Sequence, residues 1–202
     1  MVDPAQTVHI MNTYARFPVT VVKGEGAYVY GDDGKKYLDF GSGISVNNLG
    51  HCHSAVVKAI QDQAATLCHC SNLYWSEPQL KVADYLTKYS GLDRVFFCNS
   101  GAEANEGAVK LARKYFYDHG KSDKYEIITM KKSFHGRTLA TLTATGQDKV
   151  KIGFAPLPDG FVYAEYNNFE SLKATVSSHT CAVMLEPIQG EGGIYPMEKN
   201  YI

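Results

Sequence analysis

The sequence is organised around one stretch, Val95-Phe96-Phe97-Cys98-Asn99-Ser100-Gly101-Ala102-Glu103-Ala104-Asn105-Glu106, in which an apolar segment turns into a helix. The first N–H groups of a helix have no partner within it, and the aligned peptide dipoles place partial positive charge there. Ser100 offers a hydroxyl, Gly101 leaves room for a close approach, and Ala102 adds an N–H beside a small side chain. The junction therefore suits a phosphate group, although an ordinary helix capped by Ser100 fits the same residues.

Apolar runs and helical patterns alternate after position 91. Small and apolar residues at helical spacing from Ala104 to Tyr115 predict a long helix, which Gly120 ends. Strands are predicted at residues 94–98, 125–130, 161–164 and 181–186. This alternation predicts a mainly parallel sheet with helices on its faces, 181–186 as a central strand, and ligands at the carboxyl ends of the strands.

The residues before position 91 follow another pattern. Short alternating segments separated by glycine turns predict an antiparallel meander with strands at 19–22, 27–30 and 37–40. A loop at 41–45 and a helix at 54–67 follow. Ser76 and Gln79 form a capping box for a further helix that Gly91 ends.

The composition excludes several classes of partner. The 202 residues are 45% hydrophobic and 20% charged, with a formal net charge of -1, so there is no basic field for nucleic acid or a membrane surface. No run approaches the length of a membrane span, and the N-terminal residues lack a secretory pattern, so we expect a cytoplasmic protein. The five cysteines are then expected to be reduced thiols.

Three further motifs contain reactive side chains. His51-Cys52-His53 and Cys68-His69-Cys70 carry the side chains that zinc prefers, but their spacing is wrong for a zinc site and we predict no metal. Phe134-His135-Gly136-Arg137 follows a predicted strand and suits stacking on a flat ring and binding a carboxylate, although the motif taken alone favours a core Phe134 and a surface ion pair at Arg137. Glu186 and Glu191 lie in a glycine-rich turn, where carboxylates suit binding a cation, capping a helix or pairing with an arginine.

Together these motifs resemble one family. Gly50-His51-Cys52-His53, Ser71-Asn72-Leu73-Tyr74, the stretch from Asn99 to Glu106, Lys110-Leu111-Ala112-Arg113, Phe134-His135-Gly136-Arg137 and Glu186-Pro187-Ile188-Gln189-Gly190-Glu191-Gly192-Gly193 resemble the class III aminotransferases, in particular the acetylornithine subgroup. The resemblance extends from about Tyr14 to the last residues, and only Ser54 departs from it, where the family commonly has proline. It implies an α/β protein of the fold-type I pyridoxal-phosphate-dependent transferases.

The resemblance also implies roles for individual residues. The cofactor is pyridoxal phosphate, and its contacts are the phosphate ligands Ser100, Gly101 and Ala102, the ring-stacking Phe134, and Glu186 near the ring. The substrate residues are Arg137 for the α-carboxylate, Glu191 as a gating glutamate, and Tyr14 with Arg16 at the mouth of the site. The implied reaction passes an amino group from N-acetylornithine to 2-oxoglutarate, in a homodimer.

The family's Schiff-base lysine, the aspartate that pairs with the pyridine nitrogen and the arginine partner of Glu191 match no position of this sequence. We therefore expect residues 1–50 to form an N-terminal segment with the meander and residues 51–202 to form part of the large cofactor domain, inactive alone. Alternatives are another class III aminotransferase, acting on ornithine, succinylornithine, succinyldiaminopimelate or 4-aminobutyrate, or a non-catalytic phosphate-binding or assembly module. A nucleotide-binding domain is disfavoured because the stretch lacks a P-loop lysine and the spaced glycines of a dinucleotide site.

Overall fold

The computed structural model describes residues 9–201, and their contacts divide the chain into two compact units. One unit runs up to Asp84 and the other starts at Tyr85, so the division falls inside a helix. The helices are α1 (Ser42–Ser45), α2 (Ser54–Thr66), α3 (Glu77–Ser90), α4 (Gly101–Asp118), α5 (Leu139–Ala144) and α6 (Phe169–Thr175), with a 3-10 turn at Asp148–Val150. The strands are β1 (Val21–Glu25), β2 (Tyr28–Gly31), β3 (Lys36–Leu38), β4 (Glu126–Met130), β5 (Phe161–Ala164), β6 (Thr180–Val183), β7 (Ile188–Gln189) and β8 (Tyr195–Pro196). In this part of the chain, no helix combines the length and the apolar character that crossing a membrane requires.

The first unit contains the predicted meander. Strands β1, β2 and β3 pair in sequence order and antiparallel, so this prediction is confirmed with strand ends shifted by one to three residues. Gly26 and Gly34, with φ of 56° and 76°, make the two turns, which most side chains disfavour.

A left-handed turn, α1, follows the meander where a loop was predicted. Its residues Ser42, Gly43, Ile44 and Ser45 have φ between 47° and 64°, which is costly for a β-branched side chain such as Ile44. The carboxylate of Asp39 accepts the N–H groups of Gly41 and Ser42 at 2.9 and 3.0 Å, and it contacts His51 Nε2 at 2.6 Å. The hydrogen bond with His51 is the main reason that the pKa of Asp39 is lowered. Asp39 thus stabilises the entry to the turn.

The second unit is built on a three-stranded parallel sheet in the order β5-β4-β6. The middle strand is β4, whose Ile127, Ile128 and Met130 are at most 1% exposed. One core cluster lies on the Ile128 side of this strand and comprises Ile128, Met130, Ala164 and Tyr201. An apolar strand buried on both faces is typical of a parallel sheet, so the predicted sheet type is confirmed.

Two strand predictions are wrong. Residues 94–98 form no strand and pair with no strand of residues 9–201; Phe96 is 69% exposed and its ring lies over Gly107 of α4. An apolar run gives only a tendency to extend, and a strand also needs a hydrogen-bonding neighbour. Residues 181–186 were predicted to form a central strand. The observed strand β6 instead lies at an edge of the three-stranded sheet and stops at Val183, and the central strand is β4.

The burial of Ile128 leads to a stability prediction. Ile128→Ala should lower the free energy of unfolding by about 2–5 kcal/mol and Ile128→Val by about 0.5–1.5 kcal/mol, because each removes methyl groups from a closed core. Urea unfolding of the protein expressed from the reading frame that contains this chain measures both. Ile152→Ala, at a side chain that is 79% exposed, is the control and should change stability by less than about 0.5 kcal/mol. Equal effects at the two positions would contradict the core assignment.

Candidate active site

The start of α4 is a capped helix end with an open approach. Ser100 is extended, with φ −156° and ψ 161°, and its Oγ accepts the N–H of Glu103 at 3.2 Å. The carboxylate of Glu103 turns back and accepts the backbone N–H of Asn99 at 2.7 Å. Helix geometry then directs the N–H groups of Gly101 and Ala102 past the helix end. A Cβ on Gly101 would meet no atom within 4 Å, so an anion can reach these groups.

The loop after β4 lies directly against this helix end. Gly136 has φ 133°, and a Cβ there would be 2.8 Å from the Cβ of Ala102 and 2.6 Å from Thr141 Oγ1. Only glycine allows so close an approach in that conformation. Asn105, one turn along α4, donates from Nδ2 to the carbonyl oxygen of His135 at 2.7 Å. Residues 134–137 and 100–102, which sequence analysis selected separately, therefore lie side by side.

The glycine-rich turn at 186–193 is attached to the other side of the same loop. Phe134 donates its backbone N–H to Glu186 Oε1 at 2.9 Å, and Gln189 donates from Nε2 to the carbonyl oxygen of Lys131 at 3.0 Å. A Cβ on Gly192 would be 2.4 Å from the carbonyl oxygen of Lys132, so glycine is required here as well. Burial raises the pKa of Glu186 and nearby Glu191 adds to this effect, whereas the Phe134 N–H opposes it.

The structure places the predicted site residues in two groups. The second unit contains all of them except Tyr14 and Arg16, in three segments of which the loop after β4 contacts the other two: Ser100, Gly101, Ala102, Phe134, Arg137, Glu186 and Glu191. Phe134 and Glu186 are half-buried, whereas Arg137 and Glu191 are exposed. Tyr14 belongs to the first unit, 58% exposed, with the guanidinium of Arg16 5.8 Å from its ring centre. A place for Tyr14 and Arg16 at the mouth of the site stays a prediction.

Sequence reasoning gave no role to the residues that hold this loop, although several of them belong to the motifs quoted above. They are Asn105, Glu106, His135, Thr138, Thr145 and Gln189, each of which contacts a backbone or side-chain group of the loop or belongs to it. The side chain of Glu106 accepts a hydrogen bond from Thr138 at 2.5 Å. The available signal was position, because Asn105 and Glu106 lie one turn beyond the capped end of α4 and just after the small Ala102.

The histidine and cysteine triplets at 51–53 and 68–70 make contacts within the first unit. Among residues 9–201, no group of three His, Cys, Asp or Glu side chains is placed to hold a metal ion. His51 contacts Asp39, Cys68 donates to the carbonyl oxygen of Ala64 at 3.2 Å, and Cys52 is exposed. His51 and Cys68 thus hold a turn and a helix end of the first unit.

Solved structures identify the class of this fold. An ornithine aminotransferase from Toxoplasma gondii ME49 matches with a TM-score of 0.89 and 32% identity, covering 96% of this chain and 46% of that one. An N-acetylornithine aminotransferase from Stenotrophomonas maltophilia K279a matches with a TM-score of 0.78 and 36% identity, covering 98% and 48%. The fold is therefore that of the fold-type I transferases, and the predicted fold class is confirmed.

Within that class, the chain belongs to the family described as Aminotransferase class-III, which matches residues 10–202. The acetylornithine aminotransferase of Methanocaldococcus jannaschii is 54% identical over 201 residues, covering 100% of this chain and 50% of the relative. That of Caldanaerobacter subterraneus is 54% identical over 194 residues, covering 96% and 49%. The chain spans about half the length of the relatives that it matches.

The cofactor of this class is pyridoxal phosphate, as the sequence predicted. The described residues fit its phosphate because the start of α4 has an open approach at Gly101 and N–H groups that point past the helix end. For the ring of the cofactor they offer Phe134, a half-buried aromatic residue of a type that stacks on flat rings, whose backbone N–H donates to Glu186 Oε1 at 2.9 Å.

The buried imidazole of His135 leads to a pH prediction. His135 is 5% exposed, its Nε2 has no hydrogen-bond partner among the described residues, and burial lowers its pKa to about 4. A histidine in the unfolded state has a pKa near 6.5. Between that pH and about 4, His135 is therefore protonated in the unfolded state and neutral in the folded state, which favours unfolding. Stability should fall by about 3 kcal/mol in total as the pH decreases from about 6.5 to about 4.

The measurement compares urea unfolding across this pH range for the unmodified protein and for His135→Gln. The variant should lose this part of the pH dependence, because glutamine takes up no proton. The exposed His119→Gln is the matched control and should retain the full dependence. Parallel curves for the unmodified protein and His135→Gln would disprove the assignment.

Proposed function

We propose that this chain supplies the cofactor seat and the substrate carboxylate site of an enzyme that passes an amino group from N-acetylornithine to 2-oxoglutarate. The main support is the approach of Gly136 to Ala102, which brings Arg137 next to a helix end that suits a phosphate. The M. jannaschii relative, 54% identical and named acetylornithine aminotransferase, supports the choice of amino donor. An aminotransferase needs both features, because one holds the cofactor and the other orients the amino acid on it.

The cofactor side of the proposal assigns roles at the start of α4 and in the adjoining loop. Ser100, Gly101 and Ala102 bind the phosphate, Phe134 stacks on the pyridine ring, and Glu186 lies near the ring. Pyridoxal phosphate, when bound, withdraws electrons from the amino acid α-carbon. The half-buried Glu186 also holds the loop, because it accepts the N–H of Phe134 at 2.9 Å.

The substrate side assigns Arg137 to the α-carboxylate that N-acetylornithine and 2-oxoglutarate share. A guanidinium can bind a carboxylate through two parallel hydrogen bonds, which fixes both its position and its orientation. Glu191 is the gating glutamate in our proposal, since it is exposed in a turn with glycine on both sides. Tyr14 is proposed as a further substrate residue.

Ornithine is the second candidate donor. The T. gondii structure with a TM-score of 0.89 is an ornithine aminotransferase, so its fold similarity favours this donor as the alternative. The two donors carry the same α-carboxylate and differ in the acetyl group, so rates with each donor and 2-oxoglutarate decide between them.

We also propose that the whole enzyme is a cytoplasmic homodimer. Tyr74 and Trp75 in the first unit are 70% and 85% exposed, and exposed aromatic residues are enriched at subunit interfaces.

The Schiff-base lysine is proposed to lie outside these 202 residues. Lys131 and Lys132 precede Phe134 without the sequence context of the family's lysine, and their side chains have other neighbours: Glu165 pairs with Lys131, and the ring centre of Tyr195 is 5.4 Å from the Nζ of Lys132. Borohydride reduction of residues 1–202 mixed with pyridoxal phosphate should therefore give only scattered, substoichiometric labelling in peptide mapping. Stoichiometric labelling of one lysine would overturn this part of the proposal.

The carboxylate role of Arg137 is tested with Arg137→Lys in the protein expressed from the whole reading frame. Lysine keeps the charge but loses the two-pronged geometry, so kcat/KM should drop by on the order of 10²-fold, or about 2–3 kcal/mol, for both substrates. The absorbance spectrum of the bound cofactor should stay unchanged, because its phosphate is held elsewhere.

Arg94→Lys is the matched control, since it makes the same replacement outside the three segments. It should leave kcat/KM within about twofold of the original value. Unchanged kcat/KM in Arg137→Lys, or loss of the cofactor from it, would show that Arg137 does not bind the substrate carboxylate.

A further inference from the structure

We infer that Glu106 and Thr138 are positioning residues for Arg137, acting through a directed chain of hydroxyl hydrogen bonds. Thr138 follows Arg137 directly and caps α5, while Glu106 belongs to α4. Their side chains meet at 2.5 Å across 32 positions of sequence. This inference rests on the proposed function, because it concerns the residue that binds the substrate carboxylate there.

The direction of the chain follows from the chemistry of its members. An ionised carboxylate only accepts hydrogen bonds, so the hydroxyl of Thr138 must donate to Glu106. The single hydroxyl proton of Thr138 is then used, so in the 2.8 Å contact between the two hydroxyls Thr141 Oγ1 is the donor; its other acceptor is the carbonyl oxygen of Thr138 at 3.3 Å. Thr141 Oγ1 in turn accepts the backbone N–H of Thr138 at 3.1 Å. Glu106 therefore orients the hydroxyl proton of Thr138, which leaves Thr138 Oγ1 as an acceptor for Thr141.

The chain fixes the backbone on one side of Arg137, and Gly136 fixes it on the other. Gly136 is wedged between Ala102 and Thr141, with 2.8 and 2.6 Å to the place where a Cβ would be. Thr141 thus belongs to both supports. A two-pronged contact with a carboxylate loses much of its strength when the arginine backbone shifts, so these supports matter for binding and not only for folding.

The experiment measures binding of glutarate, an unreactive dicarboxylate, by calorimetry to the cofactor-loaded protein from the whole reading frame. Glu106→Ala and Thr138→Val should each weaken glutarate binding by about 5- to 10-fold, because each breaks a charge-assisted hydrogen bond. Thr138→Val retains the charge of Glu106, so an equal loss shows that the effect is positional. Cofactor affinity should change by less than about twofold, since the phosphate residues are not touched.

Two rescues and a double variant sharpen the result. Glu106→Gln and Thr138→Ser retain an acceptor and a hydroxyl, and they should bind glutarate within about threefold of the original protein. The double variant Glu106→Ala with Thr138→Val should be no weaker than either single one by more than about twofold, because the two residues act as one unit.

The control uses the same chemistry at the other end of β4. Glu126 accepts hydrogen bonds from Ser177 Oγ at 2.9 Å and Thr180 Oγ1 at 3.1 Å, so Glu126→Ala removes a carboxylate–hydroxyl contact away from the loop. It should leave glutarate binding unchanged. Additive losses, equal losses in Glu126→Ala, or a matching loss of cofactor affinity would each overturn the inference. If Arg137→Lys itself leaves glutarate binding unchanged, the proposed carboxylate site fails, and the inference fails with it.

Discussion

The second unit depends on the contact between Gly136, in the loop after β4, and Ala102, at the start of α4. A Cβ on Gly136 would overlap the Cβ of Ala102, so the loop after β4 and the start of α4 can pack this closely only because residue 136 is glycine. This contact places the backbone of Arg137 next to the start of α4, where the first N–H groups of a helix have no partner within it. The hydrogen bonds of Asn105 and Glu106 to the loop require that approach, because both connect α4 to the loop. Glu186 holds the same loop from the other side.

Strand β4 fixes the position at which this loop begins. Its residues are buried on both faces and bonded on both edges, so the loop that follows starts from a fixed point. Hydrogen bonds from polar side chains then hold several backbone atoms of the loop. At His135, for example, the backbone N–H donates to Thr145 Oγ1 at 2.9 Å. A rigid scaffold with functional residues on its loops is the usual division of roles in α/β proteins.

Local pattern was sufficient where one segment decides its own structure. The cap at Ser100, the length of α4 and the bounds of β5 follow from nearby residues. It failed where a distant partner decides, as at 94–98, which needs a neighbouring strand, and at Glu106, whose partner is 32 positions away. The candidate site residues could be chosen from motifs, whereas their placement side by side depends on contacts such as Glu186 with Phe134, 52 positions apart. The left-handed α1 was also hidden, because Asp39 supports it from outside the turn.

The order of the strands has a consequence for synthesis on the ribosome. The middle strand β4 is made before both of its neighbours, and Phe161, which pairs with Ile127, follows it by 34 residues. At elongation rates of about 5–20 residues per second, the apolar β4 emerges with both edges unpaired for roughly 2 to 7 seconds before β5 is complete. β6 pairs with its second edge later still. The nascent chain thus passes through a stage in which the strand that is most buried in the folded protein is available to other chains, which makes chaperone contact most valuable while β5 and β6 are being translated.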